Sequence, residues 1–426
     1  MNVKGFIALI IFCSVIHTGK ANNQADSLLL VLKHAKHDTI RIRINNELSE
    51  LFTKTNPDTA FYYVKEAIRL SELYVKSSDD ELVKDVKKHQ VNSFTLLGNY
   101  YKALSKYDEA VESYKNSLKI SRELEDFPGE ANSFINIGII KTNKGDYLIA
   151  INYFKNAVEI FEKINDEVGL AKVYRNIGNV YFYEGQYDLA LESYQKSLAL
   201  CEKLNDLSSV SRCQGNIGMI HKEMGHYNWS IDYFQKSLAI KKEIGDKRGE
   251  ATIYNGLGEV YFLKNESKKA LEYHYKALEI RKEVKDTRGV AFSMTNIGKV
   301  LFDESNYHQA DSFYKASLQI FEEIQDQERS SEVYNELAKI NLEQKEYFEA
   351  IKYANISLKI GQEISALPRI KDAYESLYKS YEQQYNINKA FENFKLYFEY
   401  YKKFVDIKDS IQSDIAEKLI KKRTTV

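Results

Sequence analysis

The chain is 426 residues long, 28% charged and 44% hydrophobic, with a formal net charge of −1. It lacks the basic footprint of a nucleic-acid binder, and its apolar content is that of a chain that buries a core. Only three prolines occur, Pro57, Pro128 and Pro368, each where a turn is needed, which points to a chain built of helices.

Residues 1–21 read as a cleaved signal peptide. Lys4 precedes an uncharged run, Gly5 to Ile16, too short to span a bilayer, and Gly19 and Ala21 put small residues at the positions a signal peptidase inspects. A retained N-terminal anchor is the alternative, and lipidation is disfavoured because Phe12 stands before Cys13 where a small residue is required. The mature chain is expected to be secreted or periplasmic, in a bacterial envelope, with no second apolar stretch of membrane length. A lead-in, 22–37, is followed by an atypical first helical pair in 38–90, with Ala60 and Ala67 as its small residues and a charged connection around 77–89.

From 91 to 410, eight stretches beginning at Val91, Ala131, Ala171, Ser211, Ala251, Ala291, Ser331 and Lys371 overlay at a strict 40-residue period. A glycine recurs at Gly98, Gly138, Gly178, Gly218, Gly258 and Gly298, an aromatic stands at the phase nine residues later at Tyr107, Tyr147, Tyr187, Tyr227, Tyr307 and Tyr347, and a small residue stands at Ala110, Ala150, Ala190, Ser230, Ala270, Ala310, Ala350 and Ala390. A repeat of this length marks an all-α solenoid, in which each helical pair buries its apolar face only against its neighbours. One elongated body is expected.

In 171–210 the first helix carries Tyr174, Ile177, Gly178 and Tyr181 on one stripe. The second, roughly Asp188 to Leu204, carries Ala190, Leu191, Tyr194, Ser197, Leu198 and Cys201. Glycine costs about 1 kcal/mol against alanine inside a helix, so the recurring helical glycine is read as close approach of a neighbouring backbone. The glycines at 129, 169, 249 and 289 are read as permissive backbone in the junctions between pairs. Cys201 and Cys213 flank the turn near Leu207, which leaves tight packing and a disulfide both open. Tyr378 in place of the glycine and Tyr397 in place of the small residue mark the last pair as a cap. The tail, 411–426, continues a helix on which Ile407, Ile411, Ile415 and Leu419 form a stripe along which two copies could pair as a homodimer.

The order of apolar residue, glycine and aromatic, then glycine, tyrosine, alanine, aromatic and small residue, resembles the tetratricopeptide repeat family over about 370 of the 426 residues. The period departs from that family's usual 34, and Arg122, Glu162, Glu202, Lys242, Lys282 and Glu322 stand where a terminating proline would fall, lengthening the second helix. This longer variant is similar to the Leu-Gly-Asn repeat adaptors, whose triplet stands here as Leu97-Gly98-Asn99 and Ile177-Gly178-Asn179. The resemblance implies a right-handed superhelix whose first helices line a concave channel for a peptide or partner segment. In the family the second, fifth, ninth and twelfth residues of a unit face that channel. The partner-binding residues so implied are Asn99, Lys102, Lys172, Arg175, Asn179, Phe182, Arg212, Lys222, Asn255, Glu259, Phe262, Lys299 and Phe302. Arg175 and Asn179 lie four apart on one helix face, an arginine fork beside an amide that can hold a carboxylate. The segment from Tyr400 to Ser410 resembles the juncture at which extracellular repeat arrays of Bacteroidetes sensor kinases and regulators pass into a coiled segment, which implies a sensory ectodomain as the alternative function.

No HExxH, CxxC, GxSxG or phosphate-loop sequence occurs, so no catalytic residue, metal ligand or cofactor is expected. Gly256-Leu257-Gly258 is half of a dinucleotide fingerprint, but it coincides with the repeat glycine. His221 and His274 stand where other units pack a ring, and His226 lies in a turn, so no helical metal pair forms. The acids recur with the period beside lysines, as on a solvated helix face. The expected function is a secreted, non-enzymatic protein–protein interaction scaffold whose partner is a protein or peptide and not nucleic acid.

Overall fold

The computed structural model describes residues 21–405 other than 36, 54, 76, 78 and 404. Nearly all of the expected signal peptide, and the tail stripe Ile407, Ile411, Ile415 and Leu419, lie outside the described residues. Among those described, all regular structure is helical. The chain divides into two compact units, one ending at Val180 and the other beginning at Tyr181, where the unbroken register suggests one body. Each unit is an all-α solenoid of consecutively packed helices.

From Tyr107 onward the helices are 17 residues long, and the helical pattern repeats every 20 residues. Both kinds of connection end the preceding helix in the same way. One residue takes a left-handed conformation at Ser105, Glu125, Gly145, Asn165 and so on at twenty-residue steps to Tyr385, with φ between 53° and 78°. In the example at Asn205, the Asp206 N–H donates to the Cys201 carbonyl (3.0 Å) and the Asn205 N–H to the Glu202 carbonyl (3.1 Å). This pair of bonds is the Schellman closure, and it satisfies carbonyls that a helix end leaves open. The closure holds even Glu125, Lys285 and Tyr385 in a conformation side chains disfavour.

In the pairs where it can be seen, the helical glycine meets a ring and not a backbone, which corrects the sequence reading. A Cβ on Gly98 would stand 2.5 Å from the Tyr114 ring, on Gly138 2.7 Å from Phe154, on Gly258 2.6 Å from His274 and on Gly298 2.6 Å from Tyr314. These rings come from the second helix of the same pair and are fully buried. Burying one such side chain stabilises by about 2–3 kcal/mol, more than the glycine costs. Sizes compensate along the column: where Ala338 replaces the glycine, Ala354 replaces the ring, and where Tyr378 does, it stands edge-on to Phe394 at 5.4 Å. His274 is core as expected.

The glycines at 129, 169, 249 and 289 have no left-handed φ. Each lies in the first turn of a first helix and donates its N–H to the capping aspartate three residues earlier, Asp126, Asp166, Asp246 or Asp286, at 2.9–3.1 Å. A Cβ on Gly129, Gly249 or Gly289 would fall 2.0–2.2 Å from that carboxylate. At these three positions the glycine makes room for the cap. First helices therefore begin about four residues earlier than the apolar stripe suggests, as in Glu167–Tyr183, while the second helix Tyr187–Lys203 lies within one residue of its expected place.

The segment read as a lead-in and the one read as a charged connection are helical. Residues 22–34 belong to the helix Ala21–His34, whose Leu28, Leu29 and Leu32 pack on Ile44, Leu48 and Tyr63. Asp80 to Ala103 is one 24-residue helix, capped by Asp79, which accepts from the Glu81 and Leu82 N–H groups. Its added turns bury Val86 and Gln90, Val86 packing against Ile42, Ala67 and Leu70 and leaving the charges outside. Cys201 and Cys213 are buried thiols not joined by a disulfide, and the Cys213 sulfur lies 3.2 Å from the Ser197 hydroxyl. At the far end, the helical segment 387–403 exposes Ile387, Phe391, Phe394, Phe398 and Tyr401.

Candidate functional site

The candidate residues project from first helices, and the two units use them differently. In the first unit, Asn99 accepts from the Tyr114 hydroxyl (2.8 Å) and the Lys102 ammonium (3.4 Å), and Lys172 donates to Asn132 (3.0 Å). Desolvation holds Lys102 below the usual lysine value. It does the same to Lys172, with the charges of Arg175 and Lys102 adding to the effect and that of Asp166 only partly offsetting it. Among the described residues neither lysine pairs with a carboxylate.

In the second unit the cations are paired. Lys222, on the helix Leu207–Glu223, reaches Glu259 on Lys247–Leu263 (2.5 Å) and its neighbour Glu223 (3.2 Å). Desolvation works against the Lys222 charge, but the two carboxylates outweigh it and raise the pKa. Lys299 donates to Glu332 (2.6 Å), which also takes Arg329 (2.6 Å) and Arg369 (3.3 Å). Glu332 is only 7% exposed, yet those cations overcome the effect of burial and hold its carboxyl down at about 2.

Other candidates are engaged elsewhere. Asn255 is buried, its amide nitrogen on His274 Nδ1 (3.0 Å) and its oxygen on Arg281 (3.1 Å), so it serves the core and not a surface. His274 is pushed to about 3 by burial and by the charges of Arg281 and Lys299, and so stays neutral. Arg212 folds back on Ser208 and Ser209 of its own helix. Phe182 and Phe302 rest against Tyr187 and Tyr307, which open the next helices, at 6.0 and 5.6 Å, and Phe262 is half-buried.

Sequence reasoning missed Glu332, Arg329 and Arg369, and also Lys241 and Arg281. The last two stand at the end of second helices in a buried column that elsewhere holds Ser121, Phe161, Cys201 and Phe321. A charge in that column was the available signal. Lys241 meets Asp246 (2.9 Å), and Arg281 donates to the Gly289 carbonyl (2.9 Å) and the Ser293 hydroxyl (2.8 Å). Among the described residues no group of three or more His, Cys, Asp or Glu is placed to hold a metal ion, and no helix is long and apolar enough to cross a membrane.

The family described as tetratricopeptide repeat matches residues 90–167, 169–243, 214–283 and 249–323, together more than half of the chain. No curated protein matches. Similar solved structures include a Rap protein complexed with competence and sporulation factor, 15% identical with a TM-score of 0.55, covering 87% of this chain and 99% of that one. Aspartyl phosphate phosphatase F from Bacillus subtilis is 16% identical with a TM-score of 0.57, covering 82% and 96%. The apo form of the quorum sensor NprR from B. thuringiensis is 16% identical with a TM-score of 0.55, covering 79% and 91%. At these identities the likeness is one of fold.

Proposed function

The chain belongs to the tetratricopeptide repeat family, and from that premise we propose that it is a secreted, non-enzymatic scaffold that binds a peptide or an extended segment of a partner protein on its first-helix faces. The carrying observation is the cation group of the first unit. Lys102 and Lys172 are partly desolvated, repel one another and are met by asparagine oxygens in place of carboxylates. Desolvated charge with no carboxylate in contact is costly in a free protein, and its cost falls when a ligand supplies a paired counter-ion. Asn99 and Asn132 beside them can hold a peptide backbone. The Rap protein of like fold is complexed with a sporulation factor, which is compatible with this use of the fold but belongs to that protein.

The test is selection of binders from a library of short random peptides against the chain from Asn22 on, followed by hydrogen exchange. The reading expects protection on the helices Asp80–Ala103, Phe127–Asn143 and Glu167–Tyr183, and at least tenfold weaker binding after Lys102→Ala with Lys172→Ala. Protection confined to second helices, or no binder at all, overturns it. Secretion is checked separately by the mass of the N-terminus of exported protein, expected to begin at Asn22.

A further inference from the structure

A cavity of about 240 Å³ in the second unit is lined by Arg281, Asp286, Arg288, Phe292, Phe321 and Arg329, together with Gly289. These residues come from four consecutive helices, Ser267–Glu283 to Gln327–Glu343, and the junction that opens the second of them. Three guanidinium groups thus face one lining carboxylate. The Phe292 ring lies between two of them, 5.6 Å from Arg281 and 5.2 Å from Arg329, so aromatic and cationic surfaces alternate around the walls.

The three arginines are committed to different degrees. Arg281 is tied down by Gly289, Ser293 and Asn255 and forms a fixed, buried positive floor. Arg288 gives its Nε to Asp326 (2.8 Å) and Arg329 one Nη to Glu332 (2.6 Å). Each of these forks has five N–H donors, so both retain donors for an incoming group. Glu332 is itself shared with Lys299 and Arg369, so its charge is divided among three cations and is not given to Arg329 alone.

The constellation occurs once. One repeat earlier the residues matching Arg281, Phe292, Phe321 and Arg329 are Lys241, Thr252, Arg281 and Gly289; one repeat later, those matching Arg281, Arg288 and Phe292 are Phe321, Glu328 and Glu332. A requirement of the stack itself would recur with the period, as the aspartate caps do.

We propose that this cavity seats the carboxylate of an acidic side chain, aspartate or glutamate, carried by the bound segment. The assignment rests on the peptide-binding reading above, but uses residues that reading does not. The carboxylate lies on the Arg288 and Arg329 forks, and its methylene groups lie against Phe292 and Phe321. The three arginines stand outside the second, fifth, ninth and twelfth positions of a unit, whereas Phe292 occupies the second, as Lys172 and Arg212 do, so the cavity adjoins the first-helix face but draws its cations from residues outside those positions.

The experiment titrates the mature chain, ¹⁵N-labelled at arginine, with acetyl-glutamate amide, acetyl-glutamine amide or inorganic phosphate, and follows the arginine Nε–Hε signals. Saturable shifts of Arg288 and Arg329 with the glutamate probe, absent with the glutamine probe and weakened about tenfold by Arg288→Gln, are expected. Arg288 is largely exposed, so its replacement leaves the core alone; Arg329→Lys, which keeps charge and loses the fork, is expected to fall between. Equal shifts with both amides, no saturation, or indifference to Arg288→Gln overturns the proposal. Saturation by phosphate without glutamate also overturns it, in favour of a phosphoryl ligand. A selected peptide that binds wild type and Arg288→Gln equally sinks the cavity while leaving the binding face, whereas glutamate capture without any selected peptide sinks the binding face alone.

Discussion

The turn inside a helical pair and the junction between pairs share a backbone and differ in chemistry. Gly225 in a turn and Gly245 in a junction have φ of 75° and 70°, and His226 and Asp246 after them open the next helix from nearly the same conformation. Yet His226 makes no side-chain capping bond, nor do Lys106, Asp146, Gln186, Glu266, Asn306 and Glu346, and only the end pairs cap at the turn, through Asn56 and Asn386. Asp246 takes the Gly249 N–H at 2.9 Å and the Lys241 ammonium at 2.9 Å. The helix-end hydrogen bonds therefore set the course of the chain, and the aspartates that cap the following helix are concentrated at the junctions.

The largest effect that follows is at Gly289. A Cβ there would lie 2.0 Å from the Asp286 carboxylate and 2.8 Å from the Arg281 side chain, both held in place. Gly289→Val is expected to destabilise by about 3 kcal/mol, because overpacking displaces the cap and the buried guanidinium together. The urea midpoint measures it. A loss no greater than that of an alanine at Gly225 would erase the distinction between junction and turn.

Next comes the cap itself. Asp246→Ala removes the bond to Gly249 and leaves the Lys241 ammonium buried without its partner, an expected loss of about 2 kcal/mol. His226→Ala is expected to cost about 0.5 kcal/mol or less. Comparable midpoint shifts for the two would mean that the aspartate column is incidental.

How legible this was in the sequence follows from what each column does. Glycine, ring and small residue are packing requirements, so they recur in phase and locate the second helices closely. Asp126, Asp206 and Asp286 also recur, but each lies just past the end of one helix and caps the next, and placing the first helices from their apolar stripe alone set them about four residues late. Residues 80–90 are dense in charge and suggested a connection, although Leu82, Val86 and Gln90 stand four apart on the face that is at least partly buried. At the site, the family phases found the Lys222–Glu259 pair, but a search for cations and amides passed over Glu332, the carboxylate that gathers three cations. Side chains that act once, such as Arg329, carry no period to reveal them.

Acid gives a third, smaller separation between the two connections. Burial alone would raise the Asp246 carboxyl, but the Lys241 hydrogen bond, the Gly249 N–H and the charges of Lys241 and Arg212 outweigh it and lower the pKa. A carboxyl depressed in the folded state stabilises fully above its unfolded pKa of about 3.9 and loses that contribution as pH falls through the folded value. Asp246→Asn is therefore expected to lower stability at neutral pH and to flatten part of the decline below about pH 4. A chemical-denaturation series against pH reads the slope. An acid limb identical to wild type would assign that decline elsewhere, with Glu332 the first alternative since its carboxyl is held at about 2.

The smallest effect belongs to the turns. Gly225 has φ of 75° and nothing within 4 Å of where a Cβ would stand, so conformation is the only obstacle to a side chain there. Asparagine adopts the same conformation at Asn165, Asn205 and Asn265, with φ of 54–59°, and it tolerates the left-handed region better than other side chains. Gly225→Asn is expected to change stability by no more than about 0.5 kcal/mol, since a modest residual strain is offset by the smaller conformational freedom of asparagine in the unfolded chain. Gly225→Val, whose branched side chain fits that region poorly, is expected to cost about 1–2 kcal/mol. If asparagine proved as costly as valine, contacts around the turn and not its backbone would be limiting, and the turns would have to be counted with the junctions as places where side chains hold the stack.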